Sequence, residues 1–334
     1  MFLATGKRLG TAEQNIEKDF WVVWTLDALF NGIETDGPRL LFKGGTSLSK
    51  GYGLIQRFRE DIDITVFRED IGQAAAVEEL EALSGKKRAA RLDAIKTACQ
   101  GYIRESLGIR IEALLRDTLE TAGLSADHAR VELDGDDPEG QSLQLWYPTV
   151  TAAGNAYIRR AVKIESGAKS ALDPHAPMVV RPFVADDLLT QDFNVRNVTT
   201  VDARRTFWDK VVILHGLRRW YERRGELKGG GQRPSRHYYD VSRLLVPAAG
   251  RQAMSDLGMA QDCARHARMF FNRPDLDLAS AAPGTFALAP DNQMLTDLDG
   301  DYEAMSGMVF GPIPAFGEVM ASIVELEQRL NQAQ

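Results

Sequence analysis

Residues 40–50 read LLFKGGTSLSK and residues 57–64 read RFREDIDI, and the fold expected for the chain rests on these two stretches. Their spacing predicts a strand over 39–43, a turn at Gly44-Gly45, a short helix over 47–55 and a strand over 60–67. Glycines let backbone N–H groups come close to an anion, and a helix start adds favourable partial charge. The order strand, glycine turn, helix, strand is therefore one that can bind phosphate.

The residues after the glycines bear on the same question. Thr46 and Ser47 can add hydroxyl donors to phosphate oxygens. The spacing differs from that of the GxxxxGK[ST] phosphate-binding loop, so this turn on its own is more often structural than functional.

Asp61 and Asp63 favour a functional interpretation. Residues two apart in a strand point to one face, so these carboxylates project together while Ile62 and Ile64 face the core. Adjacent carboxylates repel each other, and a hard cation such as Mg²⁺ removes that conflict. A solvent-facing strand surface is the alternative, and this strand alone does not decide between the two.

A later strand, predicted over 157–165, carries Lys163 and Glu165 on one face. Glu165 can complete a cluster of three carboxylates with Asp61 and Asp63 across neighbouring strands. Taken alone, this strand more simply predicts a Lys–Glu pair at a sheet edge.

Composition limits the class of protein. The chain has 334 residues, enough for about two domains. A hydrophobic share of 44% and a charged share of 26% are ordinary for a globular protein and exclude disordered, collagen-like and coiled-coil classes. The net charge of −7 argues against a histone-like nucleic-acid coat but is compatible with a local basic channel. No apolar run approaches the ~18 residues of a membrane helix, and no secretory signal is visible. With only two cysteines, Cys99 and Cys263, in no metal or redox spacing, we expect a reducing, cytoplasmic setting.

The remaining pattern predicts a mixed α+β lobe followed by a helical lobe. In the first part we expect a helix over 11–30, two helices within 74–122 broken at Gly85 or Gly101, a hairpin of 130–133 with 142–147, and a connector over 183–198. Further on we expect helices over 202–224, 236–245, 255–269 and 313–330, with 274–301 irregular.

Residues 204–236 form a basic segment. Ten basic residues stand against three acidic ones, a local charge of +7 in a chain of −7. Aromatic residues interleave with these charges, namely Trp208, Trp220, Tyr221, Tyr238 and Tyr239. This pattern favours a groove for a nucleic-acid backbone with aromatic platforms for bases, over a solvated helix whose aromatics face the core.

Six short motifs together carry a family resemblance. They are EKDFW (17–21), FKGGTSLSK (42–50), RF-x-EDID (57–63), VKIE (162–165), FWDK (207–210) and RHYYD (236–240). In this combination the chain resembles the AbiEii-type nucleotidyltransferase toxins of bacterial type IV toxin–antitoxin and phage-defence systems. These toxins fall within the polymerase-β-like nucleotidyltransferase superfamily.

The resemblance implies transfer of NMP from an NTP, with Mg²⁺ or Mn²⁺, to an acceptor. Some members of the family extend the 3′ end of tRNA, so an RNA 3′-hydroxyl is the expected acceptor. A polymerase-β-like catalytic domain is expected over 1–199, and a helical domain that completes the cleft over 200–334. A winged-helix antitoxin is the expected partner, and no membrane is involved.

The resemblance also implies roles for individual residues. The metal ligands would be Asp61 and Asp63, to which the strand position of Glu165 adds a third candidate. Lys210 and Asp240 would act with the two aspartates in catalysis. The nucleotide would be held by Gly44, Gly45, Thr46, Ser47, Arg59 and Lys163. Independently of the resemblance, the basic segment 204–236 predicts that RNA would be bound by Arg218, Arg219, Arg223 and Arg224. Arg59 stands where the family usually has serine, which puts any role of that hydroxyl in doubt and leaves Arg59 itself to contact phosphate.

Two alternatives remain open from the sequence. The acceptor can be a protein or small-molecule hydroxyl, which the acidic net charge favours. The chain can also be a non-catalytic nucleotide- or partner-binding module, which the intact Asp61, Asp63, Lys210 and Asp240 argue against. Which NTP is used and how an antitoxin neutralises the protein are not encoded in these motifs.

Overall fold

The computed structural model describes residues 1–33, 36–55, 61–127, 129–151, 159–188, 190–229, 233–305, 309 and 312–332. In these residues seven strands form one sheet. The strands are β1 (Leu40–Lys43), β2 (Asp61–Val66), β3 (Arg130–Leu133), β4 (Ser142–Trp146), β5 (Ala161–Glu165), β6 (His175–Val180) and β7 (Val195–Val201).

The sheet is mixed, with the order β3-β4-β5-β2-β1-β7-β6. Strand β2 pairs in parallel with β5, and β1 pairs in parallel with β7, while the other neighbours are antiparallel. The predicted hairpin is the antiparallel pair β3–β4. The predicted α+β class is therefore confirmed.

The first part of the chain also contains α1 to α6. They are α1 (Phe2–Leu9), α2 (Glu13–Asp27), α3 (Gly44–Lys50), α4 (Val77–Ala82), α5 (Gly85–Tyr102) and α6 (Gly108–Thr121). Helix α1 was not predicted. The predicted break falls at Gly85, where Ser84 caps α5 by accepting a hydrogen bond from Lys87 N. At Gly101 the helix continues, and a π-helical turn over 103–107 joins α5 to α6.

The prediction of a connector over 183–198 is wrong. A 3₁₀ turn occupies Phe183–Asp187, and β7 begins at Val195. Strand β7 is rich in β-branched residues, and it lies between β1 and β6, where Val198 is fully buried. Strand β6 was also missed, because its mostly exposed residues lack the alternation of a half-buried strand.

The later part of the chain is helical. Its helices are α7 (Ala203–Arg224), α8 (Ser235–Leu245), α9 (Ala248–Ser255), α10 (Leu257–Phe270), α11 (Asn292–Met305) and α12 (Phe316–Gln332). As predicted, the first of them starts at Asp202, which accepts a hydrogen bond from Arg204 N at 2.8 Å, and ends at Gly225 in the left-handed conformation. The irregular stretch predicted over 274–301 is wrong from Asn292 onward, where α11 begins.

By the density of contacts, the chain forms two compact units. The first unit contains Met1–Tyr52 and Phe58–Val201, and the second contains Gly53–Arg57 and Asp202–Gln334. The functional assignment of 1–199 and 200–334 stays a prediction. Among the helices of the described residues, none has the length and apolarity to span a bilayer.

Candidate nucleotidyl-transfer site

Strand β2 presents two carboxylates on one face of the sheet. Ile62 and Ile64 are fully buried, whereas Asp61 and Asp63, which alternate with them, are partly exposed. The alternation predicted for this strand is the one observed. The two carboxylates consequently occupy one side of a central strand whose other side belongs to the core.

The neighbouring strand β5 continues this face. Asp61 is in register with Lys163, and Asp63 with Glu165. The Lys163 ammonium lies 3.0 Å from Glu165 Oε1 and 3.1 Å from Asp134 Oδ2. Burial would lower the pKa of Lys163, but the two carboxylates outweigh it and raise that pKa.

The Glu165 carboxylate is thus held in an ion pair. Within the described part of the chain, no three His, Cys, Asp or Glu side chains come together as a metal site would require. The structure therefore brings Asp61 and Asp63 together on one strand but does not assemble the cluster of three carboxylates. Metal binding by Glu165 and nucleotide binding by Lys163 stay predictions.

Gly44 lies against the Asp63 carboxylate. Its φ is +75°, and a Cβ at this position would be 2.0 Å from Asp63 Oδ2. Only a residue without a side chain allows this approach, because real Cβ atoms are not found that close to another heavy atom. The predicted glycine turn is the start of α3, and it forms one continuous surface with the carboxylate strand.

The hydroxyls of α3 are used within the fold. Thr46 Oγ1 donates to the Asp61 carbonyl at 2.6 Å, and Ser47 Oγ donates to the Gly44 carbonyl at 2.8 Å. A carbonyl can only accept, so each hydroxyl proton is engaged, and both residues are buried. The interpretation of these hydroxyls as phosphate donors is therefore wrong in this conformation. The backbone N–H groups of Gly44, Gly45 and Thr46, at the start of α3, carry the prediction instead, because the Ser47 N–H makes the first bond of the helix.

One predicted site residue cannot be placed. Arg59 lies outside the described residues, so its contact with phosphate stays a prediction.

A residue that sequence reasoning gave no role lies beside this surface. Lys43, the last residue of β1, is in register with Asp63 across the antiparallel pair. Directly opposed residues share a face, so Lys43 flanks the carboxylates. The sequence signal was its position as the last strand residue before Gly44 and Gly45.

Lys210 and Asp240 pair with each other in the second unit. Lys210 Nζ on α7 lies 2.9 Å from Asp240 Oδ2 on α8, and both side chains are buried. Sequence reasoning had placed Asp240 near the nucleotide or Lys210, and the contact with Lys210 is the one observed. Breaking such a pair leaves a buried charge without its counter-ion, which is costly.

The arginines predicted to bind RNA also have partners within the second unit. Arg218 lies 3.2 Å from both Glu222 and Asp291, and Arg219 lies 2.9 Å from Glu222. Their side chains are only 15% and 27% exposed. Glu222 is already counted in the charge of +7, and Asp291 adds one carboxylate from outside the segment.

The end of α7 is more open. Arg224 pairs with Asp275 at 2.9 Å between Nε and Oδ2 but is 54% exposed, and Arg223 is exposed while donating to the Pro274 carbonyl. RNA binding by the four arginines stays a prediction, with Arg223 and Arg224 the better placed.

The interpretation of the aromatic residues as base platforms is wrong for most of them. The rings of Trp208, Tyr221, Tyr238 and Tyr239 are buried, with at most 4% of each exposed. Trp208 packs on Phe207 and Phe286 instead. The buried aromatics form the core of the second unit, and of the five only Trp220 is partly exposed.

Comparison with known proteins places the chain in a family. The family model described as nucleotidyl transferase AbiEii toxin, Type IV TA system, matches residues 27–322. The chain therefore belongs to the AbiEii family, and it is a nucleotidyltransferase of the toxin–antitoxin class. This family implies an NTP as substrate, typically with a divalent metal, and a cognate antitoxin as partner.

Among solved structures, the chain is similar to MenT4, a nucleotidyltransferase toxin from Mycobacterium tuberculosis. The two share 15% identity with a TM-score of 0.49, over 100% of this chain and 90% of that chain. No curated protein compared with the chain matches it.

Proposed function

We propose that the protein transfers NMP from an NTP to an RNA 3′-hydroxyl, such as that of tRNA, with Mg²⁺ or Mn²⁺ bound at Asp61 and Asp63. The observation that carries this proposal is the pair of carboxylates on one face of β2, with Gly44 packed against Asp63. Membership of the AbiEii family supports the same chemistry.

The residues fit the metal. Mg²⁺ prefers hard oxygen ligands and is usually bound through one or two carboxylates together with substrate phosphates. Asp61 and Asp63 supply two such groups, so a third protein carboxylate is not required. A bound divalent cation would offset the triphosphate charge and lower the pKa of the acceptor hydroxyl.

The remaining roles concern the protein's own groups. The backbone N–H groups of Gly44, Gly45 and Thr46 would orient the triphosphate beside the carboxylates, with Ser47 in the same first turn of α3. Lys163, with its raised pKa, would stay cationic near the phosphates at neutral pH. Arg59 would contact phosphate, and Glu165 would be a further metal ligand.

We assign residues 1–199 as the catalytic domain and 200–334 as the helical domain that completes the cleft. This assignment gives Lys210 and Asp240 a role in catalysis, with Lys210 stabilising phosphate charge and Asp240 orienting Lys210. Their buried contact at 2.9 Å supports the second part. A winged-helix protein is the antitoxin that we propose.

A second acceptor class is favoured by a specific observation. Because Arg218 and Arg219 are paired with carboxylates, less of the basic segment is available to an RNA backbone than its charge suggests. A protein or small-molecule hydroxyl is therefore the competing acceptor. The transfer chemistry at Asp61 and Asp63 would be the same.

The test is incubation of the purified protein with each labelled NTP, Mg²⁺ and total bacterial RNA, followed by sizing of the labelled product. Label at the length of tRNA supports the proposal, and the NTP that labels is identified in the same experiment. Label on protein or on a small molecule would replace the acceptor. Label that persists in an Asp61→Asn variant would contradict the metal site.

A further inference from the structure

The EKDFW motif has no part in the proposed chemistry, yet its first three residues are unusually placed. Glu17, Lys18 and Asp19 are consecutive in α2, and each is only 2% exposed. Successive helical residues point about 100° apart, so burial of all three requires that the helix be covered on several sides. Charged side chains are rarely buried unless each has a partner.

Each of the three charges holds a different segment. The Glu17 carboxylate accepts from Val150 N and from two threonine hydroxyls, Thr149 and Thr151. Lys18 Nζ donates to the Arg159 carbonyl at 3.1 Å. Asp19 is the member that points toward the candidate site.

Asp19 fixes the end of α3. Its Oδ1 pairs with the ammonium of Lys50, the last residue of α3, and its Oδ2 accepts from Phe183 N at 2.7 Å. The Lys50 ammonium also lies 3.3 Å from the centre of the Phe183 ring. The Lys50 side chain is only 7% exposed, so one end of α3 is held by a desolvated ion pair and a cation–π contact.

The other end of α3 contacts the carboxylate strand. Thr46 Oγ1 donates to the Asp61 carbonyl, and Gly44 lies against the Asp63 carboxylate. Helix α3 has seven residues and is about 10 Å long, so a shift at Lys50 moves Thr46 and Gly44 with it. The ion pair is thereby linked to both aspartates through one short rigid element.

An ion pair is a poor way to gain stability at such a place. Burial raises the pKa of Asp19 and lowers that of Lys50, so both charged forms are disfavoured before they attract each other. Apolar residues of similar volume often stabilise a buried site as well or better. What the pair adds is a defined position for α3, because the contacts of Asp19 and Lys50 are satisfied in one placement of that helix.

We propose that Asp19 and Lys50 are positioning residues that hold α3 against β2 and so fix the Asp61–Asp63 carboxylate pair for divalent-cation binding. The inference rests on the proposed function, in which these two aspartates are the metal ligands. Neither Asp19 nor Lys50 touches substrate in this assignment.

The experiment separates positioning from stability with a double-mutant cycle in the full chain. Asp19→Asn and Lys50→Met each leave one charge buried without its counter-ion, so each lowers the melting temperature. The double variant removes both charges at nearly constant volume and recovers a melting temperature within about 4 °C of the wild type. Mn²⁺ affinity, measured by electron paramagnetic resonance with a non-hydrolysable NTP analogue, stays about 10–100-fold weaker in the double variant.

Glu17→Gln is the matched control. Glu17 is on the same helix and equally buried, but its carboxylate accepts hydrogen bonds from residues 149–151. We expect a lower melting temperature with Mn²⁺ affinity within about twofold of the wild type, in contrast to the larger losses usual when a group that orients a metal ligand is changed.

The outcomes distinguish the positioning role from the proposed function. Absence of Mn²⁺ binding in the wild type, or undiminished binding in Asp61→Asn, overturns the proposed function. A wild type that binds Mn²⁺ and a stable double variant that binds it equally well overturn the positioning role alone. If the double variant does not fold, Thr46→Val cuts the link to the Asp61 carbonyl instead, and unchanged Mn²⁺ affinity there overturns the inference.

Discussion

Gly44 is the single residue whose substitution tests the site most directly. A Cβ there would meet Asp63 Oδ2 at 2.0 Å, and the backbone is left-handed. Gly44→Ala should displace the Asp63 carboxylate, and a misplacement of about 1 Å can cost on the order of 10²-fold in rate. The measurement is initial-rate nucleotide transfer together with thermal melting.

Gly72 provides the control for that substitution. It has a similar φ of +68°, but a Cβ there would have no heavy atom within 4 Å. Gly72→Ala should therefore cost only the left-handed backbone penalty, about 1–2 kcal/mol, and leave transfer at the wild-type rate. Equal loss of activity in both variants would show that backbone strain, and not the contact with Asp63, is responsible.

Asp61→Asn tests the metal assignment at the same scale. Thr46 donates to the Asp61 carbonyl and not to its side chain, so the amide variant keeps this link to α3. We expect nucleotide transfer to fall by about 10²–10³-fold or more, with the melting temperature within about 4 °C. A variant that retains full transfer would remove Asp61 from the site.

Single residues also show how far the sequence could predict this site. The shared face of Asp61 and Asp63 follows from the period of two in a strand, and the structure has it. The hydrogen bond that Thr46 Oγ1 donates could not be predicted. Its acceptor is a carbonyl 15 residues away, which only the packing of α3 against β2 brings close.

Among the elements, α7 carries a pH-sensitive contact. His215 Nδ1 accepts from Ala287 N at 3.1 Å, and Nε2 lies 3.2 Å from the Asp277 carbonyl, which fixes the neutral ring with its proton on Nε2. Burial lowers the pKa of His215, and the nearby Arg219 lowers it further.

The sign of the pH effect follows from that direction. A histidine whose pKa is lower in the folded state binds fewer protons there than in the unfolded state, so stability rises with pH. The contribution is present above pH ~6.5 and is lost as pH falls through the folded-state pKa. As the pH is lowered from 8 to 5, the melting temperature should fall more steeply for the wild type than for His215→Asn. Parallel curves would show that another group titrates.

Element prediction succeeded where a periodic pattern had clear ends and failed where burial was decided by distant partners. Asp202 and Gly225 mark α7 as the sequence indicated. Strand β7 was missed because its pairing with β1, which buries it inside the sheet, joins residues more than 150 positions apart. The prediction that aromatic residues of α7 and α8 stack on bases was wrong for most of them. In a sequence, charged residues beside aromatic ones form the same pattern whether the rings stack on bases or pack in a core.

For the molecule as a whole, the salt dependence of RNA binding distinguishes an RNA acceptor from a protein or small-molecule acceptor. If Arg223 and Arg224 contact RNA phosphates, replacing both with alanine should reduce the slope of log affinity against log salt by about 1.4, because each contact contributes about 0.7 for single strands. Arg329→Ala on α12 is the control, since Arg329 is an arginine of similar exposure at 60%. The measurement is RNA binding by filter retention between 50 and 200 mM salt, concentrations over which such contacts weaken strongly.

NTP binding by the arginine variant should stay at the wild-type level. Identical salt slopes for this variant and the wild type would remove RNA contact from the end of α7, and the acceptor would then be sought among proteins and small molecules.

The order of strands in the sheet has a consequence for synthesis of the toxin. Strand β1 pairs with β7 at Phe42 and Thr200, and about 160 residues lie between them, which corresponds to roughly 8–30 s of translation. Until β7 has left the ribosome, β1 has one open edge, and the carboxylate strand β2 belongs to an incomplete sheet. The sheet that carries the candidate site is therefore completed late in synthesis, and a product that stops before β7 should lack nucleotide transfer.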